Sequence, residues 1–371
     1  MPFDKMTLLA CPVCAGDRIE QFTLRYPAFR HQDFAPIGPG PIQLGRCAGC
    51  GLVYRIVGPA DAAAVTERYR GAAYVNATPA PHRVKVGEFP EPMLQTVLQA
   101  KLLAPHLPAK PRILDIGCAD GGLLQAFAAH GEAADLCGFD VAERPSFPHG
   151  APFRFVAGDL GRVDGTFDLV VLSHSLQYVP DLPALFEAIR ARLAPGGAVF
   201  VQVPDFAQKA AALLFGDLFW HFTPAILANV LRRRGFAVEP IRTEWFPRDV
   251  LALAKPDQAA HGAGPLDDSL GRAIGELARM AGALSSFPPA PRTGVLGTTI
   301  DASFTAALLG PRVSFFVDEN PEKIGRTFRG LPIIAPRTVG ADAAVAVPLG
   351  PAGARVSARL AQANPGRWIA V

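Results

Sequence analysis

The chain has 371 residues, half of them hydrophobic, and a formal net charge of +3 at pH 7. That length implies two or three domains with a sizeable core. The near balance of charge excludes a strong phosphate-backbone binder, because the densest basic run, "LRRRGF" from Leu231 to Phe236, reads as a helix end, and no nucleic-acid partner is expected. The first residues lack a signal-peptide pattern and no apolar run is long enough to span a bilayer, so the expectation is a cytoplasmic protein with no membrane partner.

Residues 1–90 are irregular and rich in Pro, Gly and aromatics, with short strand-like runs such as "GLVYRIV". Little in this segment builds a core, so its cysteines are the expected staple. Cys11 and Cys14 form one Cys-x-x-Cys pair, and Cys47 and Cys50 form another. Two such turns close a tetrahedron round zinc, and four thiolates leave no open position for water, so the expected metal is structural Zn2+.

Over residues 91–262 strands and helices alternate. A helix is expected over "EPMLQTVLQAKLLAPHL", then strand "RILDIG", helix "GGLLQAFAAHG", and strands "LCGFD", "FRFVAGD" and "FDLVVLSHSL". Helix "LPALFEAIRARLAPGG" and strand "AVFVQVP" follow, then helix "TPAILANVLRRRGF" and strands "AVEPIRTEW" and "VLALAKP". This alternation implies a mostly parallel sheet with helices on both faces. Residues 263–290 read as a connecting helix, and residues 291–371 as a second α/β unit opening on "TGVLGTTIDASFTAALLG".

In "RILDIGCADGG" an acidic residue ends a strand, a glycine turn follows and a helix begins. Gly117 lets backbone approach a ligand, and the helix N-terminus offers free amides. Asp140 ends the next strand a little over twenty residues later, where a carboxylate can bind ribose hydroxyls. Ala119 stands where a dinucleotide loop has its second glycine.

Here the sequence resembles class I S-adenosylmethionine-dependent methyltransferases, whose strand-loop-helix carries "LDIGC-x-x-G". The resemblance implies that Asp115, Gly117 and Cys118 line the methionine end of S-adenosyl-L-methionine, and that Asp140 holds the ribose. By the same resemblance Asp159 and Leu160 in "AGDL" frame the adenine, and Ser173 faces the cofactor. Cys118 and Cys137 otherwise read as small packing residues.

A four-cysteine lobe, a methyltransferase core and a second α/β unit carrying "VSFFVDENPEKIGRTFRGLPIIAP" together resemble the sugar C-methyltransferases that act on nucleotide-linked ketosugars. "CAGCGLVY", Tyr69 and Tyr74 match that family's N-terminal lobe. The implied fold class is α/β: a Rossmann-like methyltransferase core, an N-terminal zinc-binding lobe and a C-terminal second Rossmann-like unit. The implied partner is a small sugar, nucleotide-activated, methylated at carbon or oxygen.

The family deprotonates carbon beside a ketone with a base near the substrate. His221 in "FGDLFWHFTP" falls on the family's histidine and is the first candidate base, with His174 and Tyr178 of "SHSLQYV" beside it. Three departures stand out: Trp220 replaces the family's glutamate, Tyr178 replaces its second histidine, and "PRDVLALAKP" replaces its Gly-Gly-Ser run. Two other readings stay open. One is a methyltransferase-like binding protein that has lost catalysis; the other, an oxidoreductase using residues 291–371 as a dinucleotide domain, is disfavoured by the few glycines in "GVLGTTIDA". Asp318, Glu319 and Asn320 are either one wall of an acceptor cleft or turn formers.

Overall fold

The computed structural model describes residues 10–31, 33–38, 41–71, 83–84, 86–87, 89, 91–131, 135–143, 150–257, 259, 262, 264–266 and 268–371. Tyr74 lies outside the described residues. The chain divides into two compact units that interleave along the sequence. One comprises Met1–Phe22, Gln43–Gln208 and Leu218–Asp267; the other comprises Thr23–Ile42, Lys209–Asp217 and Asp268–Val371.

In the first unit, strands β1 (Ile19–Leu24), β2 (Ile42–Cys47) and β3 (Val53–Arg55) precede helix α1 (Pro59–Arg70) and helix α2 (Gln95–Leu103). The main sheet then begins with β4 (Arg112–Ile116), helix α3 (Gly122–His130), β5 (Asp135–Asp140) and β6 (Arg154–Ala157). It continues through β7 (Phe167–Ser173), helix α4 (Leu182–Arg190) and β8 (Leu193–Pro204). A two-residue strand β9 (Trp220–His221) leads to helix α5 (Pro224–Arg233), β10 (Phe236–Ile241) and β11 (Asp249–Pro256).

Seven strands line up as β6-β5-β4-β7-β8-β11-β10. The five strands from β6 to β8 run parallel, and β11 is antiparallel to both β8 and β10. Leu169 to Leu172 on β7 and Val199 to Val201 on β8 are fully buried, as strands covered on both faces must be. Local chemistry starts the helices: Asp181 accepts from Ala184 N at 3.0 Å to cap α4, and Thr223 accepts from Ile226 N at 3.3 Å to cap α5. The expected "LAPGG" helix end is instead the start of β8, where a side chain on Gly197 would meet the Phe167 carbonyl at 2.8 Å.

The strand β9 leaves this sheet and completes a second one, in the order β1-β2-β3-β9. Its antiparallel register sets Trp220 opposite Tyr54 and His221 opposite Val53.

The second unit holds helix α6 (Ser269–Ser285), β12 (Arg292–Leu296), helix α7 (Ile300–Leu309), β13 (Val313–Val317), β14 (Thr327–Phe328), β15 (Leu331–Ile334), β16 (Ala343–Val347), helix α8 (Gly353–Ala363) and β17 (Arg367–Ala370). Its sheet runs β14-β15-β13-β12-β16-β17 and is parallel apart from β14. The helix expected to connect two domains, α6, packs on α7 as part of this unit. Asp318 closes the turn after β13, where its carboxylate accepts from Thr298 Oγ1 at 3.1 Å and from Asn320 N at 3.0 Å, while Glu319 pairs with Arg359.

Candidate active site

In the main sheet β5 and β6 lie on one side of β4 and β7 and β8 on the other, so the strand order reverses between β4 and β7. A crevice is expected outside the carboxyl ends of those two strands. Those ends carry Gly117 and His174. Gly117 has φ +82°, and a Cβ there would sit 2.6 Å from the Ser175 Cβ, so only glycine lets the two loops come together. Ala119 is left-handed without being glycine, at φ 49°. Its amide donates to Asp140 Oδ2 at 3.1 Å, and Asp140 Oδ1 accepts from Ala142 N at 3.3 Å.

A cavity of about 670 Å³ fills this position, within the usual range of about 300–1,000 Å³ for ligand clefts. Gly117, Phe139, Asp140, Gly158, Asp159 and Leu160 line one part of it. His174, Ser175, Tyr178 and Asp181 line another, together with Thr66, Tyr69 and Arg70 from the end of α1. Tyr69 meets Tyr178 edge-on, with ring centroids 4.6 Å apart. Asp159 is turned towards its own loop, accepting from Gly161 N at 2.8 Å.

The structure therefore brings Gly117, Asp140, Asp159, Leu160, His174 and Tyr178 to one cavity. Asp115, Cys118, Ser173 and His221 lie off its wall. Cys118 packs against Gly138, where a Cβ would meet its sulfur at 2.7 Å. Ser173 Oγ accepts from Gln99 Nε2 at 2.7 Å. Asp115 is buried two residues before Gly117, and burial, with the charges of Asp140 and Asp120, pushes its carboxyl up to about 7. Its Oδ1 and the Ser175 Oγ are buried and have no hydrogen-bond partner among the described residues. Two orphaned oxygens flanking a glycine cradle are what a bound molecule with donor groups satisfies, so the residues fit the methionine end of S-adenosylmethionine.

Behind His174 stands a polar network that sequence reasoning missed. Asp249, the first residue of β11, has its Oδ2 3.4 Å from His174 Nε2. The same oxygen accepts from Gln202 Nε2 at 2.6 Å, and Gln202 Oε1 accepts from Gln99 Nε2 at 2.7 Å. In the sequence Asp249 is marked only by lying in the run "PRDVLALAKP", which gives that residue no role. The cavity residues Ser175 and Arg70 also escaped, since nothing in their spacing marks them.

His221 faces a different environment. It is 3% exposed, and burial, helped by the Arg55 charge, pushes its pKa down to about 3. Its Nε2 has no hydrogen-bond partner among the described residues. The neighbours of this imidazole act on the cavity indirectly: Trp220 Nε1 donates to Val179 O at 2.6 Å, and Phe219 N donates to Gln177 O at 2.9 Å. The aromatic stretch thus braces the loop that carries Tyr178.

The four cysteines of the N-terminal lobe come together, with all four sulfurs within 4.8 Å of one another. Cys11 and Cys50 Sγ are 3.6 Å apart and Cys14 and Cys47 Sγ 3.5 Å, and all four thiols are free. A tetrahedron with Zn–S bonds of about 2.3 Å has edges of about 3.8 Å, so the sulfurs fit zinc. Asn229 Nδ2 donates to Cys50 O at 3.2 Å, and Arg234 donates to Pro12 O at 3.1 Å and to Val13 O. The basic end of α5 thus holds the cysteine turns. No helix among the described residues is long and apolar enough to cross a membrane.

The family model of a methyltransferase domain matches residues 91–241. A trans-aconitate 2-methyltransferase of Deinococcus radiodurans is 32% identical over 111 residues, covering 28% of this chain and 43% of that protein. Its counterpart from Rhizobium meliloti is 31% identical over 140 residues, covering 35% and 53%. A solved S-adenosylmethionine-dependent methyltransferase from Mesorhizobium loti matches at 24% identity with a TM-score of 0.35, over 42% of this chain and 95% of that one. The chain thus spans about half the length of the curated relatives it matches. With the matched segment supplying six of the seven strands of the reversing sheet and its glycine cradle, residues 91–241 are a class I S-adenosylmethionine-dependent methyltransferase domain.

Proposed function

We propose that the chain methylates a small sugar, nucleotide-linked, at carbon or oxygen, using S-adenosylmethionine. The observation that carries this reading is the single cavity on which the Gly117 cradle, Asp140, His174 and Tyr178 converge. S-Adenosylmethionine, when bound, supplies an electrophilic methyl group. Gly117 and Ser175 hold its methionine end, with Asp115 buried behind them, Asp140 holds its ribose, and Asp159 with Leu160 its adenine.

His174 is the residue placed to take the proton that the acceptor loses, from a hydroxyl or from carbon beside a ketone. Such a base contributes about 10²- to 10⁴-fold. Tyr178, set against Tyr69, orients the acceptor. His221 is assigned to packing, because an imidazole that stays neutral down to about pH 3 is a weak base and this one lies off the cavity wall. Cys11, Cys14, Cys47 and Cys50 hold a structural zinc.

The sugar reading is supported by the three-part organisation, a four-cysteine lobe before the methyltransferase domain and a second α/β unit after it. The curated relatives carry the name of an acid, trans-aconitate, and that acid is the competing acceptor. The test is incubation with methyl-labelled S-adenosylmethionine and a panel of nucleotide-linked keto- and hydroxysugars, with trans-aconitate in a parallel arm. A sugar product heavier by one methyl is expected. Labelled trans-aconitate with unlabelled sugars overturns the acceptor assignment.

A further inference from the structure

We propose that Asp249 is a positioning residue that holds His174 for its task, so that the carboxylate absent beside His221 is supplied at the other histidine. The inference rests on the reading of His174 as the proton acceptor. Three observations carry it.

The first is the direct approach, with Asp249 Oδ2 3.4 Å from His174 Nε2, the two side chains 19% and 27% exposed. The second is the support behind the carboxylate. Gln202 is fully buried and spends its amide on Asp249 at 2.6 Å, while its own oxygen is held by the buried Gln99 at 2.7 Å. Gln99 Nε2 also donates to Ser173 Oγ at 2.7 Å, and the His174 amide donates to Gln202 O at 2.8 Å. The chain of contacts returns to the residue it started from, and a polar network joined in this way specifies one side-chain arrangement.

The third is the backbone of His174, left-handed at φ 52°. A non-glycine residue there costs about 1–2 kcal/mol, and such strain persists where surrounding contacts over-determine it, characteristically at functional sites. The tether to Asp249 is such a contact. When His174 takes the acceptor's proton it becomes an imidazolium, and the Asp249 carboxylate is the fixed negative charge beside it. The proton leaves the acceptor, the imidazole gains it, and Asp249 stays unprotonated throughout, as the orienting aspartate of a catalytic triad does.

Two measurements on the full chain test this. Histidine-selective ¹⁵N labelling reads the contact without any acceptor: the His174 signal, assigned by its loss in His174→Gln, should shift in Asp249→Asn and return towards wild type in Asp249→Glu. An unshifted signal in Asp249→Asn overturns the contact. The second is a double-mutant cycle on methyl transfer to the best acceptor of the sugar panel. Asp249→Asn should lower kcat about 10- to 100-fold, within what a general base contributes, with KM for S-adenosylmethionine unchanged. In a His174→Gln background it should have almost no further effect, because the two residues act as one. Equal losses in both backgrounds mean a general structural role and refute the proposal. A wild type that methylates no panel member yet shows the shifted signal refutes the acceptor reading and leaves the positioning contact standing.

Discussion

Replacing Gly117 with alanine separates two costs that the structure lets one work out independently. The residue is left-handed at φ +82°, which costs an alanine about 1–2 kcal/mol. The new methyl group would also lie 2.6 Å from the Ser175 Cβ, well inside the contact distance of carbon atoms, and overpacking of this kind costs about 1–3 kcal/mol. Gly117→Ala should therefore destabilise the protein by about 2–5 kcal/mol, read as a fall in melting temperature of about 2–4 °C per kcal/mol. Calorimetry should show S-adenosylmethionine binding at least about tenfold weaker, equal to about 1.4 kcal/mol, since the two loops that form the cradle are forced apart. Adding Ser175→Gly should return the steric part alone, leaving the left-handed cost and incomplete binding. If the single variant melts and binds like wild type, or if Ser175→Gly recovers nothing, the cradle does not work as described.

Three further outcomes follow from buried groups. The Asp115 carboxyl, raised to about 7 from 3.8, binds its proton more tightly folded than unfolded, so stability falls as pH rises between those values. Asp115→Asn should then stabilise the cofactor-free protein at pH 8, change little at pH 4, and weaken S-adenosylmethionine binding in calorimetry. The His221 pKa, lowered to about 3 from 6.5, has the opposite sign: its contribution is intact above 6.5 and is lost as pH falls towards 3. His221→Leu should flatten the acid limb of a stability-against-pH curve and keep most of the methyl-transfer rate; a rate loss near that of His174→Gln would reinstate it as the base. Metal analysis should find one zinc per chain, and Cys47→Ser or a strong chelator should lower the melting temperature, since binding energy at such a site is folding energy.

The alternation of apolar strands and helices over residues 91–262 made the main sheet legible, because buried parallel strands such as "FDLVVLS" announce themselves by composition. The glycine turn after β4 was legible for a related reason: a glycine that must be left-handed and an acid at the next strand end are local requirements. What stayed hidden depends on distant pairing. The stretch around His221 looked like a site because an imidazole among aromatics is ambiguous in one dimension, and only the pairing of β9 with β3 shows that it joins another sheet. Asp249 stands 75 positions beyond His174, and only the β8–β11 pairing carries it there. The interleaving of Thr23–Ile42 and Lys209–Asp217 with the C-terminal unit has no sequence signature at all.

The pairing of β9 with β3 also bears on where this chain can be cut. The region shared with other methyltransferases begins at residue 91, which invites its expression as a minimal enzyme. Removing what precedes it would take away Tyr69 and Arg70, part of the cavity wall. It would also strip β9 of its partner strand, baring an edge beside Trp220, whose indole holds the loop of Tyr178. An unpaired apolar edge invites association with other chains. Residues 91–241 are thus not a module that can be lifted out; the wall of the cavity is finished by Thr66, Tyr69 and Arg70, which precede the segment matched by the family model.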